Sequence, residues 1–327
     1  MRRKRKKLFA TLAFFAFLIA SSAVYGFYNQ FESARLASRE KIKESGNLEQ
    51  LSNEKIEFNA DVVNNEKIIN VLLIGIDERK NEPSRTDTII IAQYRPKEGT
   101  AKIASIMRDS YVSIPGYKNN KINTSFFLGG PELLRQTIKE NFGIDIHYYA
   151  MVNFDGFVQV VDHLAPEGIE VNVANRMYYQ SSEGTIDFQP GLQTINGEQA
   201  LNYVRFRSDK DNNDFGRVRR QQEVLSILKE QLTSISGLAR LPATIGSVEP
   251  YIHTNMTSSK IIGLGKDFLV KPVKHIDTLT IPIENSYEDK SYRHAGLVLD
   301  LNIEKNKQAL QQFFEGTDEE KVVYEGK

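Results

Sequence analysis

The residues best suited to chemistry crowd into one stretch, Tyr203 to Gln222, "YVRFRSDKDNNDFGRVRRQQ". It holds five arginines (Arg205, Arg207, Arg217, Arg219, Arg220) and three aspartates (Asp209, Asp211, Asp214). A solvated helix, a nucleic-acid patch or an anion-binding site can have this composition. A second set lies upstream, in "GIDER", "SRTD" and "MRDSYV": Asp77, Arg85, Asp87, Arg108 and Asp109. Guanidinium forks suit phosphate oxygens, which accept bidentate hydrogen bonds. Two carboxylates close to phosphates suit Mg2+, which takes one or two of them plus phosphate oxygens and waters.

The elements that must carry these residues can be read from periodicity. Ile68–Ile76 is a largely apolar run, read as a buried strand ending just before Asp77. Thr88–Tyr94 and Ala101–Met107 are predicted strands joined by the turn "RPKEGT". Strand one's end, strand two's start and strand three's end then share one edge, which gathers Asp77, Arg85, Asp87, Arg108 and Asp109. Ligands of open α/β sheets bind beyond strand C-termini.

On a helix beginning near Arg217, Leu225, Leu228 and Leu232 define the buried stripe, and Arg217 and Gln221 fall on it. Both should turn inward, where an unpaired charge is costly. Arg219 points to solvent, and Arg220 sits on the flank. Asp214 reads equally as a helix cap or a chemical group. Arg205 and Arg207, two apart at the end of a short helix, point the same way if the chain is extended there.

Further elements complete an alternation of strand and helix. Pro131–Phe142 is a helix with proline at its first position. Tyr148–Asn153, Asp155–Leu164 and Gly168–Val173 read strand, helix, strand. Glu198–Arg205 is a short helix. A helix near 258–269, a strand near 275–282 and a helix near 304–314 follow. The fold class expected is α/β, a central mixed β-sheet flanked by helices on both faces.

Six basic residues, Arg2 to Lys7, precede the uncharged run Leu8–Tyr28. At about 1.5 Å per residue that run spans a bilayer core of roughly 30 Å, and the basic flank places the N-terminus in the cytoplasm. A cleaved signal peptide is the competing reading, but its apolar region is usually shorter. The expected organisation is a cytoplasmic tail (1–7), a transmembrane signal-anchor (8–28), an extracellular stalk (29–66), an extracellular catalytic domain (67–315) and an acidic tail (316–327). Of 42 basic and 42 acidic residues, the first 28 hold six basic and none acidic, so the exported part has 36 against 42, a net −6. A nucleic-acid partner is not expected from that balance or that topology. Cysteine is absent, which excludes disulfide and thiolate chemistry. The five histidines (147, 163, 253, 275, 294) show no metal-ligand spacing, and there is no G-x-x-x-x-G-K-[ST] loop.

The segments "NVLLIGIDER", "SRTDTIIIAQY", "IASIMRDSYVSIPG", "KINTSFFLGG", "YYAMVNFDGFVQVVD" and "GLQTINGEQALNYVRFRSDKDNNDFGRVRRQQEVL" run in order over residues 70–225. The chain resembles the LytR-CpsA-Psr family of Gram-positive cell-envelope proteins, and within it the teichoic acid transferases. That resemblance implies a phosphotransferase, an enzyme moving phosphorus-containing groups. It would pass an anionic glycopolymer such as wall teichoic acid from a polyprenyl-pyrophosphate carrier to peptidoglycan. It implies a cofactor, Mg2+ or Mn2+, near Asp77 and Asp87. Arg85, Arg108, Arg205, Arg207 and Arg217, with Gln221, match its pyrophosphate-binding positions, and Asp214 an aspartate important for activity. Asp214, then Asp109, are the candidates to accept the acceptor hydroxyl's proton. The sequence departs from the family in "IMRDSYV" and "KINTSFF". A water-using pyrophosphatase, a non-catalytic lipid-carrier protein and a transcription attenuator are the rival readings.

Overall fold

The computed structural model describes residues 2–44, 56–60, 67–77, 85–181, 184–206, 213–273 and 276–316. Helix α1 (Arg2–Glu44) comes first, then a meander of β1 (Ile69–Asp77), β2 (Arg85–Arg95) and β3 (Thr100–Ile106). Short strands β4 (Ser110–Val112) and β5 (Asn120–Lys121) lead into α2 (Ile122–Phe142), β6 (Tyr148–Val152), α3 (Phe154–Leu164) and β7 (Ile169–Val173). Next come β8 (Met177–Ser181), β9 (Gly184–Phe188), β10 (Gly191–Ile195), α4 (Gly197–Arg205), α5 (Asn213–Thr233) and α6 (Ile235–Val248). The described chain closes with β11 (Ile252–Thr254), α7 (Ser258–Val270), β12 (Ile276–Ile281), β13 (Tyr287–Tyr292), β14 (Gly296–Leu301) and α8 (Ile303–Glu315).

The main sheet has the order β11-β6-β1-β2-β3-β12. The meander is antiparallel, while β6 runs parallel to β1 and β12 parallel to β3, so the sheet is mixed as expected. Alternation sorts its two faces. Leu72, Ile74, Ile89, Ile91, Ala104 and Ile106 form one face, packed with Leu134, Ile138 and Phe142 of α2 and Leu310 and Phe314 of α8. A second cluster joins Val161 and Leu164 of α3, Val171 of β7, Tyr203 of α4 and Val224 and Leu228 of α5.

The expected strands and helices are present, with two differences of physical interest. The helix read from Pro131 continues back to Ile122, across a break at Gly129 and Gly130, whose backbone is non-helical. The helix α6 escapes a propensity reading because it contains Gly237, Pro242 and Gly246. Its glycines serve close approach. A Cβ at Gly237 would lie 1.9 Å from the Gln231 carbonyl, and one at Gly246 2.1 Å from the Phe31 carbonyl.

Over 29–44 the segment read as a stalk is the second half of α1, and Phe31, Ser38 and Ile42 are buried there. The uncharged run 8–28 lies within the same helix, although most of its side chains lie outside the described set. Among the described residues no helix is long and apolar enough to cross a membrane. The acidic tail beyond Gly316 also falls outside the described residues.

Residues 56–60 dock on the main core through Ile56 and Phe58. Glu132 holds them there, accepting the Asn59 N–H at 2.9 Å alongside Arg135 Nη2 at 2.7 Å and Gln136 Nε2 at 2.8 Å. Burial raises the pKa of this carboxyl, but the bonds from Arg135, the Asn59 main chain and Gln136 outweigh it and hold it below the ordinary 4.5. A depressed carboxyl pKa contributes stability above the unfolded value and loses it as pH falls through the native one. Glu132→Ala is therefore expected to lower the unfolding free energy by about 2 kcal/mol at pH 7, measured by urea denaturation. The gap to the unmodified chain should narrow as pH falls below 4.5.

Candidate functional site

The site grows from an irregularity in the β1–β2 pair. Gly75 pairs with Thr88 but Ile76 with Thr86, so Asp87 is the extra residue of a β-bulge. Bulges re-aim side chains. The buried Thr86 hydroxyl fixes this one, reaching the Gly75 carbonyl (3.0 Å) and the Thr88 carbonyl (2.9 Å). Gly75 leaves little room opposite, because a Cβ there would lie 3.0 Å from Thr88 Cβ.

Asp87 meets two arginines. Arg108 Nη1, from just past the end of β3, donates a short hydrogen bond to its Oδ1. Arg217 Nη1, from α5, lies 3.7 Å from its Oδ2. Arg217 is 3 % exposed and the Asp87 side chain 42 %, so the pair runs from the interior to an open rim. Arg108 Nε also donates to Asp109 Oδ2 at 3.2 Å, and Lys121 Nζ reaches Asp109 Oδ1 at 2.6 Å. Gln221, one turn after Arg217, donates to Thr88 Oγ1 at 3.3 Å. Asp87, Arg108, Arg217 and Gln221 line one small depression with Thr88 and Ser105.

The structure thus brings together Asp87, Arg108, Asp109, Arg217 and Gln221. Arg85 and Asp77 pair backbone to backbone at the same end of the hairpin; their side chains lie outside the described set. Asp214 lies in the first turn of α5, and its side chain lies outside the described set. Arg207 falls outside the described residues. Arg205 is placed apart from the depression, its guanidinium 4.1 Å from the centroid of the Phe154 ring. Phe154 follows β6, whose Val152 neighbours Gly75. Two strand spacings, about 10 Å, therefore separate Phe154 from Asp87 along the edge.

The opening stretch divides by contact. Arg219 is exposed, as its helical position predicts. Arg220, the flank residue, is a strut: its Nε donates to the Tyr203 carbonyl at 3.0 Å and its Nη2 to the Phe206 carbonyl. Tyr203 in turn donates to Glu223 at 2.7 Å, and burial followed by that carboxylate pushes the phenol pKa well up. Lys121 is the charged side chain at this edge that the sequence reading missed. It stands just before a helix, with no carboxylate near it in sequence. The Asp87 bulge and its Thr86 and Gly75 supports were missed for a related reason, because register is set by pairing rather than by composition.

Among the described residues no three His, Cys, Asp or Glu side chains cluster as a metal cage. Mg2+ needs less, since it keeps several waters and takes one or two carboxylates plus phosphate oxygens. The half-exposed Asp87 carboxylate fits that demand. Asp109 fits it less well, because its side chain is only 19% exposed against 42% for Asp87.

Beyond the charged edge lies a half-sealed apolar face. Val71, Leu73, Ala92 and Ile103 alternate with the core residues of their strands, and they are only half-buried. Helix α7 crosses this side, with Lys260 over the Tyr148 ring at 5.8 Å and Lys271 Nζ bonded to the Lys97 carbonyl at 2.7 Å. Its Ile261, Ile262, Leu264, Phe268 and Leu269 are half-buried too.

The profile of the LytR_cpsA_psr family matches residues 25–312. The chain belongs to that family. It is 41% identical over 259 residues to "Regulatory protein MsrR" of Staphylococcus aureus (strain COL), covering 79% of this chain and 78% of that one. It is 30% identical over 257 residues to the "Polyisoprenyl-teichoic acid--peptidoglycan teichoic acid transferase TagU" of Bacillus licheniformis, covering 78% and 80%. A solved structure, "TagT bound to LI-WTA", matches with a TM-score of 0.58 at 28% identity over 82% of this chain and 97% of that one.

Asp87→Ala removes the carboxylate shared by two guanidiniums, one of them buried. It is expected to destabilise the fold by roughly 2–3 kcal/mol in chemical denaturation, more than Arg219→Ala on the exposed face, within about 0.5 kcal/mol of zero.

Proposed function

We propose that this chain is a membrane-anchored phosphotransferase of the cell envelope. It moves an anionic glycopolymer, wall teichoic acid or a related polymer, from a polyprenyl-pyrophosphate carrier to peptidoglycan. The observation that carries this reading is the Asp87 carboxylate held between Arg108 and Arg217 at an open sheet edge. A rim of guanidiniums and one half-exposed carboxylate suits a multiply charged phosphate better than a neutral ligand. The half-sealed apolar face suits a polyprenyl tail. The relative TagU is named for this transfer, and the solved TagT is described as bound to LI-WTA. The anchor reading rests on the uncharged run Leu8–Tyr28 and its basic flank.

In the proposed reaction an acceptor sugar hydroxyl attacks the glycan-side phosphorus. The bond from that phosphorus to the bridging oxygen breaks, and polyprenyl phosphate leaves with the electron pair. Arg108 and Arg217 stabilise charge on the non-bridging oxygens, and Gln221 fixes the α5 face against β2. Catalysis of this kind is positioning and electrostatics. Mg2+ bound at Asp87 and Asp77 would supply further charge neutralisation. Asp109 already accepts from Arg108 and Lys121, so it orients cations, and the hydroxyl proton goes to Asp214.

MsrR is named a regulatory protein, which supports a second reading in which the family site binds without turnover. Labelled carrier-linked polymer offered with and without peptidoglycan separates the possibilities. Transfer requires the acceptor, hydrolysis by water does not, and a pure binder shows neither. Arg108→Ala is expected to reduce transfer by about 10²–10³-fold. Full transfer by that variant would sink the mechanism. Chelation of divalent cations should abolish transfer, with recovery on adding Mg2+.

A further inference from the structure

Helix α1 joins the uncharged run to the folded domain without a break. Its second half is docked on α6. The Phe31 carbonyl approaches Gly246, and Arg35 Nε donates to Glu249 Oε2 at 2.9 Å. The contacts advance together along both chains, 31 with 246 and 35 with 249, so the two helices run parallel. Ile235 lies eleven residues before Gly246, about 16 Å along the axis at ~1.5 Å per residue. That places it level with α1 near residue 20, inside the run that ends at Tyr28.

The start of α6 exposes one large apolar side chain, Ile235, together with Ser236, Ala239 and Arg240. Ile235 is 91% exposed, and Arg240 is the single charge from Ile235 to Val248. An arginine stem can lie along apolar surface while its head reaches the interface. The free N–H of Gly237 is taken by the Ser234 hydroxyl at 3.0 Å, so the first turn does not rely on water for it. Beside it α1 exposes Val24, Tyr25 and Tyr28 at 58%, 71% and 54%. Tyrosines concentrate where a helix leaves the bilayer.

We propose that the first two turns of α6 sit in the outer leaflet beside α1, so that two parallel helices seat the domain on the lipid surface. The proposal rests on the anchor reading given under the proposed function. The occupant of the exposed patch is the bilayer because the patch is continuous with the uncharged run at the same height. A consequence is a fixed orientation, with the α6–α7 side of the domain, where Phe27 and Ile245 meet Gly265, turned toward lipid.

The chain has no cysteine, so single-cysteine variants label at one position. Ile235→Cys, Phe14→Cys and Leu192→Cys in the full chain, each carrying an environment-sensitive fluorophore, are reconstituted in phosphatidylglycerol–phosphatidylcholine vesicles. Leu192 is 69% exposed on β10 and serves as the aqueous reference. The probes at 14 and 235 are expected to show blue-shifted emission, protection from iodide and quenching by acyl-brominated lipid, while the probe at 192 shows none of these. A lipid-embedded probe at 14 with an aqueous probe at 235 overturns the α6 proposal and leaves the anchor intact. An aqueous probe at 14 overturns both.

Discussion

One carboxylate, Asp87, sets the geometry of the charged edge. It is half-exposed, yet it faces a guanidinium that is almost wholly buried. A buried cation is tolerated only where an anion compensates it. The position of α5 over the sheet, the direction of Arg108 and the bulge in β2 are therefore coupled through a single side chain. The bulge matters because the alternation of β2 sends Ile89 and Ile91 into the core face. An unbulged strand would carry Asp87 to that same apolar side. The extra residue turns the carboxylate toward α5, and Thr86 and Gly75 hold it there.

Much of this was legible in the sequence. The three strands of the meander follow from apolar runs and a Pro/Gly turn, and their charged ends follow from strand polarity. The inward direction of Arg217 and Gln221 follows from helical spacing against Leu228. Other features depend on partners distant in sequence. Arg220 lies just under one turn from Arg217 yet donates to the carbonyls of Tyr203 and Phe206. Lys121 gains meaning only when β5 pairs with β4 beside Asp109. Helix α6 was hidden because its glycines, poor in propensity, are selected by the closeness of α1 and of the α5 end.

The sheet is unequal in its two faces, and the inequality suits its position. One face is sealed by α2 and α8 with fully buried isoleucines and leucines. The other has half-buried Val71, Leu73, Ala92 and Ile103 beside the buried Ile90 and Ala150, and α7 on that side keeps its apolar side chains half-buried. A domain with two ordinary cores would seal both faces. Here the first cluster supplies rigidity to the edge that holds Asp87 and Arg108, while the second cluster anchors α4 and α5 beyond the open face. Tight sealing and looser cover are thereby assigned to different sides of the same sheet.

The meander also sets an order of assembly. Asp87 and Arg108 are only 21 residues apart, so their ion pair can form once two neighbouring strands have paired. Thr88 and Gln221 are 133 residues apart, and the arrival of α5 must wait for the intervening strands and helices. Contacts of long sequence separation come late because loop closure has to precede them. A partly folded chain would thus carry the Asp87–Arg108 pair but lack Arg217. The charged edge would be incomplete until α5 had packed on the sheet. During synthesis the buried arginine would therefore reach Asp87 only after the chain had grown well past the meander.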